Sequence, residues 1–224
     1  MTSALPAAVL WDMDGTVVDT EPLWMAAEVA LVARHGGRWT HEQALGMVGL
    51  GLDDAAAILQ RVGVEMDRDA IVQHLTDEVT TALRDGGVHF RPGARELLAA
   101  LREAGVRTAL VTMSLRSMAE AMVERLPDGS FDVIVAGDDA TRPKPYPDPY
   151  LQACAALGID PAAAVAIEDS PTGVRAAVAA GVVTVGVPLM VPLDDAGADT
   201  LWPTLEGRTP ADLGRVHAER RTRP

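Results

Sequence analysis

Asp12 and Asp14 stand two residues apart in Asp12-Met13-Asp14-Gly15-Thr16, directly after the apolar run Val9-Leu10-Trp11. Two carboxylates so placed can divide the work of nucleophile and general acid, or hold a hard cation. Gly15 lets the chain turn sharply there. Isolated acids at this spacing are common in surface turns. A surface turn does not explain why these follow an apolar run that should be buried, at the strand end where open α/β sheets bind ligands. Three further stretches repeat the arrangement. In Val111-Thr112-Met113-Ser114, Thr112 ends an apolar run and Ser114 reads as the N-cap of the next helix; a hydroxyl beside free N–H groups suits an anion. In Arg142-Pro143-Lys144-Pro145-Tyr146-Pro147-Asp148, prolines stiffen the loop that carries Lys144. In Ile167-Glu168-Asp169-Ser170-Pro171, two more acids lie between an apolar run and a helix start, where the helix dipole also favours them.

The elements that must position these residues follow from pattern and punctuation. Short runs rich in β-branched residues at 106–112, 133–135, 164–167 and 182–187 predict strands, as does 8–11 at the start. Helices between them open at Arg91-Pro92-Gly93, at Asp148-Pro149 with Asp148 as N-cap, and at Ser170-Pro171; they close at Gly105, Gly158 and Gly181. Strand–helix alternation predicts βαβ units on a parallel sheet. Residues of about 22–87 show no convincing strand. They predict helices over 23–35, 41–48, 53–62 and 68–84, broken by Gly36-Gly37, 49–51 and Gly86-Gly87. The Arg-rich tail from Arg215 is expected to fray.

Each of the four motifs thus lies at the carboxyl end of a successive strand, so all four converge on one sheet edge. Asp12, Asp14 and Asp169 would repel one another there without a cation. Oxygen ligands without a His or Cys cluster suit Mg²⁺. Lys144 and helix-end N–H groups would then hold an anion. The chain as a whole is acidic, with 19 Lys+Arg against 32 Asp+Glu and a formal charge of −13. Such a surface disfavours nucleic acid and anionic membrane, and any anionic substrate needs a local positive site.

The four motifs, in this order, resemble those of the haloacid dehalogenase superfamily: Asp12-Met13-Asp14-Gly15-Thr16, then Thr112, Lys144 and Glu168-Asp169. The stretches Val18-Asp19-Thr20-Glu21-Pro22-Leu23 and Lys144-Pro145-Tyr146-Pro147-Asp148 are similar to the branch of sugar-phosphate phosphatases and β-phosphoglucomutases. The resemblance implies an α/β fold: a Rossmann-like parallel sheet with helices on both faces (1–20 and 88–224), with a small all-α cap domain (21–87) inserted after the first strand. It implies a Mg²⁺-dependent phosphatase acting on a small phosphorylated metabolite, a sugar or polyol phosphate. Asp12 would be the nucleophile and Asp14 the general acid and base. Thr112, Met113 and Lys144 would bind the phosphoryl group. The metal would take Asp12, the backbone carbonyl of Asp14, Asp169 and Glu168. Two positions depart from the family pattern. Met113 stands where Asn is frequent, which removes a side-chain amide, and Trp24 stands where the mutases carry His. Trp24 is therefore the candidate specificity residue, and its presence argues against a mutase that would pass the phosphoryl group to a second sugar hydroxyl.

A phospho-responsive receiver module also carries acids, a Thr and a Lys at strand ends, but lacks a long helical insertion and a second acid two residues past the first. Turnover separates the two, since a receiver consumes a phosphodonor about stoichiometrically. The single cysteine, Cys154, is expected to be a small buried apolar residue rather than a catalytic thiol. The start has no basic segment followed by a long apolar run, and no stretch approaches about 20 uninterrupted apolar residues. A cytoplasmic enzyme, monomeric or dimeric, is the expectation.

Overall fold

The apolar runs become strands β1 (Ala8–Trp11), β2 (Arg107–Val111), β3 (Val133–Val135), β4 (Ala164–Glu168) and β5 (Val183–Gly186), in a computed structural model that describes residues 4–86 and 88–221. A sixth, β6 (Thr200–Leu201), has only two residues and no sequence pattern to announce it. The sheet order is β3-β2-β1-β4-β5-β6, and every pairing is parallel. The central strand β1 is buried along its whole length. Its register sets Trp11 beside Leu110 on one side and Ile167 on the other, so three strands end level.

A parallel sheet must be covered on both faces. Alternate β1 residues serve the two layers: Val9 and Trp11 face one core, Ala8 and Leu10 the other. The first layer takes the apolar stripes of α5 (Ala94–Glu103), α6 (Arg116–Val123) and α9 (Pro210–Arg221). In α5 the stripe is Leu97, Leu98 and Leu101, each buried and worth about 1.5–3 kcal/mol. The second layer takes α7 (Asp148–Leu157) and α8 (Pro171–Ala179). Cys154 is buried in that layer, as expected.

Between β1 and β2 lie α1 (Glu21–Arg34), α2 (His41–Leu45), α3 (Leu52–Arg61) and α4 (Arg68–Gly86), with no strand among them. Leu31, Leu59, Ile71, Leu75 and Val79 pack them together. Thr40 starts α2 through a capping box with Gln43. The segments leading in and out of this unit run side by side. Asp19 N–H donates to His89 O at 2.8 Å, and Arg91 N–H to Val17 O at 2.9 Å. Gly87, in the expected Gly86-Gly87 break, lies outside the described residues, and α4 continues to Gly86 rather than stopping at Arg84.

Two local expectations need correction. The N-cap of α7 is Pro147, not Asp148, because the Asp148 carboxylate turns to the Arg142 guanidinium at 2.8 and 3.0 Å. The tail does not fray at Arg215. Residues 215–221 form the last turns of α9, because Leu213 and Val216 dock into the first core layer and the His217 ring is 2.9 Å from Ala162 O; residues 222–224 lie outside the described residues. Among the described residues, no helix is long and apolar enough to cross a membrane.

Candidate active site

Asp12 continues β1 by one residue, its N–H donating to Ile167 O at 3.0 Å. The carboxylate is therefore fixed at the sheet edge between the ends of β2 and β4. The Lys144 ammonium donates to Asp12 Oδ1 at 2.6 Å, to Glu168 Oε1 at 2.6 Å and to Val111 O at 3.0 Å. Lys144 is only 6% exposed and Glu168 wholly buried. Tyr150 on α7 donates its hydroxyl to the same Glu168 oxygen at 2.6 Å. Ser170 is the N-cap of α8, accepting from Gly173 N–H at 3.0 Å, as its sequence position predicts.

Asp14 is held from two sides. Oδ1 accepts from the Thr20 hydroxyl and, at 3.5 Å, from Trp24 Nε1, both at the start of α1. Oδ2 accepts from Ser114 Oγ at 2.6 Å and Thr112 Oγ1 at 3.3 Å, both just past β2. Ser114 is thus not the N-cap of α6: Leu115 takes that position without a side-chain bond, and the Ser114 hydroxyl is directed to Asp14 instead. Met113 has no amide, and its Sδ lies 3.3 Å from Lys144 N, so it steadies the lysine loop.

Asp12, Glu168 and Asp169 each offer a carboxylate oxygen within 4.8 Å of one another. Gly15 is required beside them: its φ is +84°, and a Cβ there would sit 2.0 Å from Asp169 Oδ2. Asp12 Oδ2 is buried and has no hydrogen-bond partner among the described residues. Burial, with the Glu168 charge, pushes the Asp12 carboxyl up to about 7 despite Lys144. Burial and the Asp12 and Glu168 charges push Asp169 well above the usual carboxylate range. Burial alone would lower the Lys144 ammonium, but the Asp12 and Glu168 carboxylates override it and hold the lysine charged. One lysine against three buried carboxylates leaves the cluster short of positive charge. An orphaned carboxylate oxygen and an all-oxygen donor set therefore fit a hard divalent cation such as Mg²⁺. The Asp14 side chain, engaged by four donors, is not part of that cluster.

These groups open into a cavity whose other wall is the helical unit. Trp24 lines it, as do Glu21 and Glu28, which sequence reasoning did not single out. The signal was available: Glu21, Trp24 and Glu28 recur at i, i+3 and i+7 on one face of α1. Thr20, which bonds Asp14 six residues earlier, and Tyr150, which bonds Glu168, carry no such periodic signal. Burial raises the Glu28 carboxyl to about 7, only partly offset by the Trp39 indole N–H. A raised carboxyl favours folding in its protonated form, so its contribution is complete below about pH 4.5 and lost as pH rises through 7. Glu28→Gln cannot ionise. Its unfolding free energy should therefore gain on the wild type by on the order of 2 kcal/mol between pH 5 and pH 8. Urea denaturation at both pH values checks this; an equal gap at each would place Glu28 in an ordinary solvated environment.

A family model described as haloacid dehalogenase-like hydrolase matches residues 9–187. The chain is 36% identical over 184 residues to an N-acetylmuramic acid 6-phosphate phosphatase of Pseudomonas aeruginosa, covering 80% of each. It is 30% identical over 185 residues to hexitol phosphatase B of Escherichia coli K12, covering 81% of this chain and 83% of that one. Among solved structures, it is similar to a CbbY variant of Rhodobacter sphaeroides in complex with xylulose 1,5-bisphosphate. There the TM-score is 0.85 and the identity 30%, over 93% of this chain and 99% of that one.

Proposed function

With the chain a member of the haloacid dehalogenase-like hydrolase family, we propose that it is a phosphoric monoester hydrolase that takes the phosphoryl group of a small sugar or polyol phosphate onto Asp12. The observation that carries this reading is the Asp12–Lys144 pair: a buried carboxylate held at 2.6 Å by a buried ammonium, with a second acid two residues on. The sugar-phosphate class is supported by the names of the relatives, which include a hexitol phosphatase and an amino-sugar-phosphate phosphatase.

Asp12 attacks phosphorus in line with the leaving oxygen and forms an aspartyl-phosphate. Asp14 gives its proton to the leaving oxygen, then takes one from the water that hydrolyses the intermediate. The hydroxyls of Thr20, Thr112 and Ser114 hold the Asp14 carboxyl in place, and each can turn to accept when Asp14 carries the proton. Lys144, with Thr112 and the N–H groups after β2, offsets charge on the transferring group. Asp12, Asp169, Glu168 and the Asp14 carbonyl would hold Mg²⁺, which would supply the remaining positive charge. Residues 21–87 act as a cap domain over the core, joined through the paired segments near Asp19 and His89. Substrate enters when the two parts separate, and closure excludes bulk water. Trp24, on the cap face, contacts the leaving group.

A phosphate-release screen over small sugar and polyol phosphates tests the reading. Hydrolysis should need added Mg²⁺ and fall by on the order of 10²-fold or more with excess EDTA. Full activity after exhaustive chelation would rule out the oxygen-ligand site, and release of no more than one phosphate per protein would rule out an enzyme.

A further inference from the structure

Glu28 is a buried carboxylate that the reaction above does not use. It is 6% exposed and lies on the face of α1 that lines the cavity. Its Oε2 accepts from Trp39 Nε1 at 2.9 Å, which fixes the side chain, while Oε1 has no hydrogen-bond partner among the described residues. Burial has made this carboxyl costly to ionise. Oε1 is not among the buried unpartnered atoms, so it reaches solvent on the face that lines the cavity and is free to accept from a ligand.

The charge around the cavity decides what it can bind. Lys144 is the only lysine or arginine among the described residues that line it, and that ammonium is already engaged by Asp12 and Glu168. The cap wall consists of Glu21, Trp24, Glu28 and apolar groups such as Met47, Leu50 and Leu75. A second phosphate on the substrate would enter a partly desolvated wall bearing two carboxylates and no cation. Where these carboxylates are ionised they repel it, and in either form the phosphate would lose its hydration with no cation on that wall to replace it. A neutral hydroxyl, by contrast, can donate to Glu28 Oε1 while the carbon skeleton lies on the apolar groups.

We propose that Glu28 is a specificity-determining residue: it accepts a hydrogen bond from a hydroxyl of the leaving group, and it restricts the enzyme to substrates carrying a single phosphate. This rests on the phosphatase reading above and narrows its substrate class from sugar phosphates to hydroxylated monophosphates.

The wild-type enzyme provides the first test, since it needs no variant to fold. Initial rates with Mg²⁺ are compared for fructose 6-phosphate against fructose 1,6-bisphosphate, and glucose 6-phosphate against glucose 1,6-bisphosphate, with p-nitrophenyl phosphate as reference. Each monophosphate should exceed its bisphosphate in kcat/KM by about tenfold or more. In Glu28→Gln the side-chain oxygen can still accept from Trp39, which turns an N–H donor toward the cavity. The ratio of kcat/KM for sugar monophosphates to that for p-nitrophenyl phosphate should fall by about tenfold or more, and the penalty on bisphosphates should shrink. Bisphosphates turned over as well as monophosphates by the wild type would overturn the proposal. So would a Glu28→Gln enzyme whose rates fall equally for every substrate, because Glu28 would then only brace α1 through Trp39. If the wild type released phosphate from none of these esters, p-nitrophenyl phosphate included, the phosphatase reading itself would fall and this inference with it.

Discussion

Asp12→Asn should abolish phosphate release, lowering kcat on every ester by on the order of 10⁴-fold or more, and should leave the fold standing. The amide has the shape of the carboxylate but no lone pair basic enough to attack phosphorus. The Lys144 ammonium, 2.6 Å from Oδ1, can donate to an amide oxygen in the same place. The backbone bond from Asp12 N–H to Ile167 O does not depend on the side chain. The substitution also removes one carboxylate from a crowded group. Asp12 is raised to about 7 by burial and by Glu168, so its ionised form is a cost to the folded state at alkaline pH. The variant should therefore melt no lower than the wild type at pH 8. Steady-state phosphate release, circular dichroism and an acid-quench search for phosphorylated protein check the three parts. A variant within tenfold of wild-type turnover, or one that still traps phosphate on the chain, would remove Asp12 from the nucleophile's place.

The four motifs were legible in the sequence because each is a short-range pattern: an apolar run, then an acid, Thr or Lys, then a helix start. Their convergence followed from the one long-range rule that parallel strands end on the same side. The register of Trp11 with Leu110 and Ile167 makes that rule concrete. What the sequence concealed is what depends on contacts across the fold. A hydroxyl before a helix reads as a cap, yet Ser114 is directed to Asp14, 100 residues away in the chain. Asp148 before a proline reads the same way, yet the Arg142 guanidinium outcompetes the helix end for it. An Arg-rich, polar tail reads as loose, yet Leu213 and Val216 bury its helix against the core. In each case local chemistry gave a valid option, and a tertiary partner gave a stronger one.

The helical wall of the cavity was partly legible. Trp24 stood out as the residue where the mutases have His, and it does reach the site, with its indole N–H toward Asp14. Its neighbours Glu21 and Glu28 share its helix face, but two acids on a helix in an acidic chain read as solvated surface. Only the fold shows that this face turns inward and that Trp39 closes over Glu28.

Lys144→Met should cost both activity and stability, and the two losses should respond differently to conditions. Methionine keeps the length of the alkyl stem and removes the charge. Asp12 and Glu168 are then left buried beside Asp169 with no cation, and breaking a buried ion pair from one side costs about 3–5 kcal/mol. The sign of the pH dependence follows from the direction of the shifts. Asp12 and Asp169 are already raised by burial, and loss of the lysine removes the one charge that lowers them. Their protonated forms favour the fold, so the deficit should be largest at pH 8 and should shrink as pH falls below 7. Added Mg²⁺ should shrink it too, because a ligand that binds only the folded state stabilises it and the same carboxylates are its proposed donors. Activity should behave otherwise. In the proposed mechanism Lys144 also offsets charge on the transferring phosphoryl group, so saturating Mg²⁺ should recover stability while kcat stays reduced by on the order of 10²–10³-fold. Urea denaturation at pH 8 and pH 5.5, with and without Mg²⁺, beside kcat at saturating Mg²⁺, separates the two roles. Equal stability of variant and wild type at pH 8 would mean that Lys144 does not balance the buried acids. Recovery of kcat together with stability would mean that its charge does no more than hold the site together.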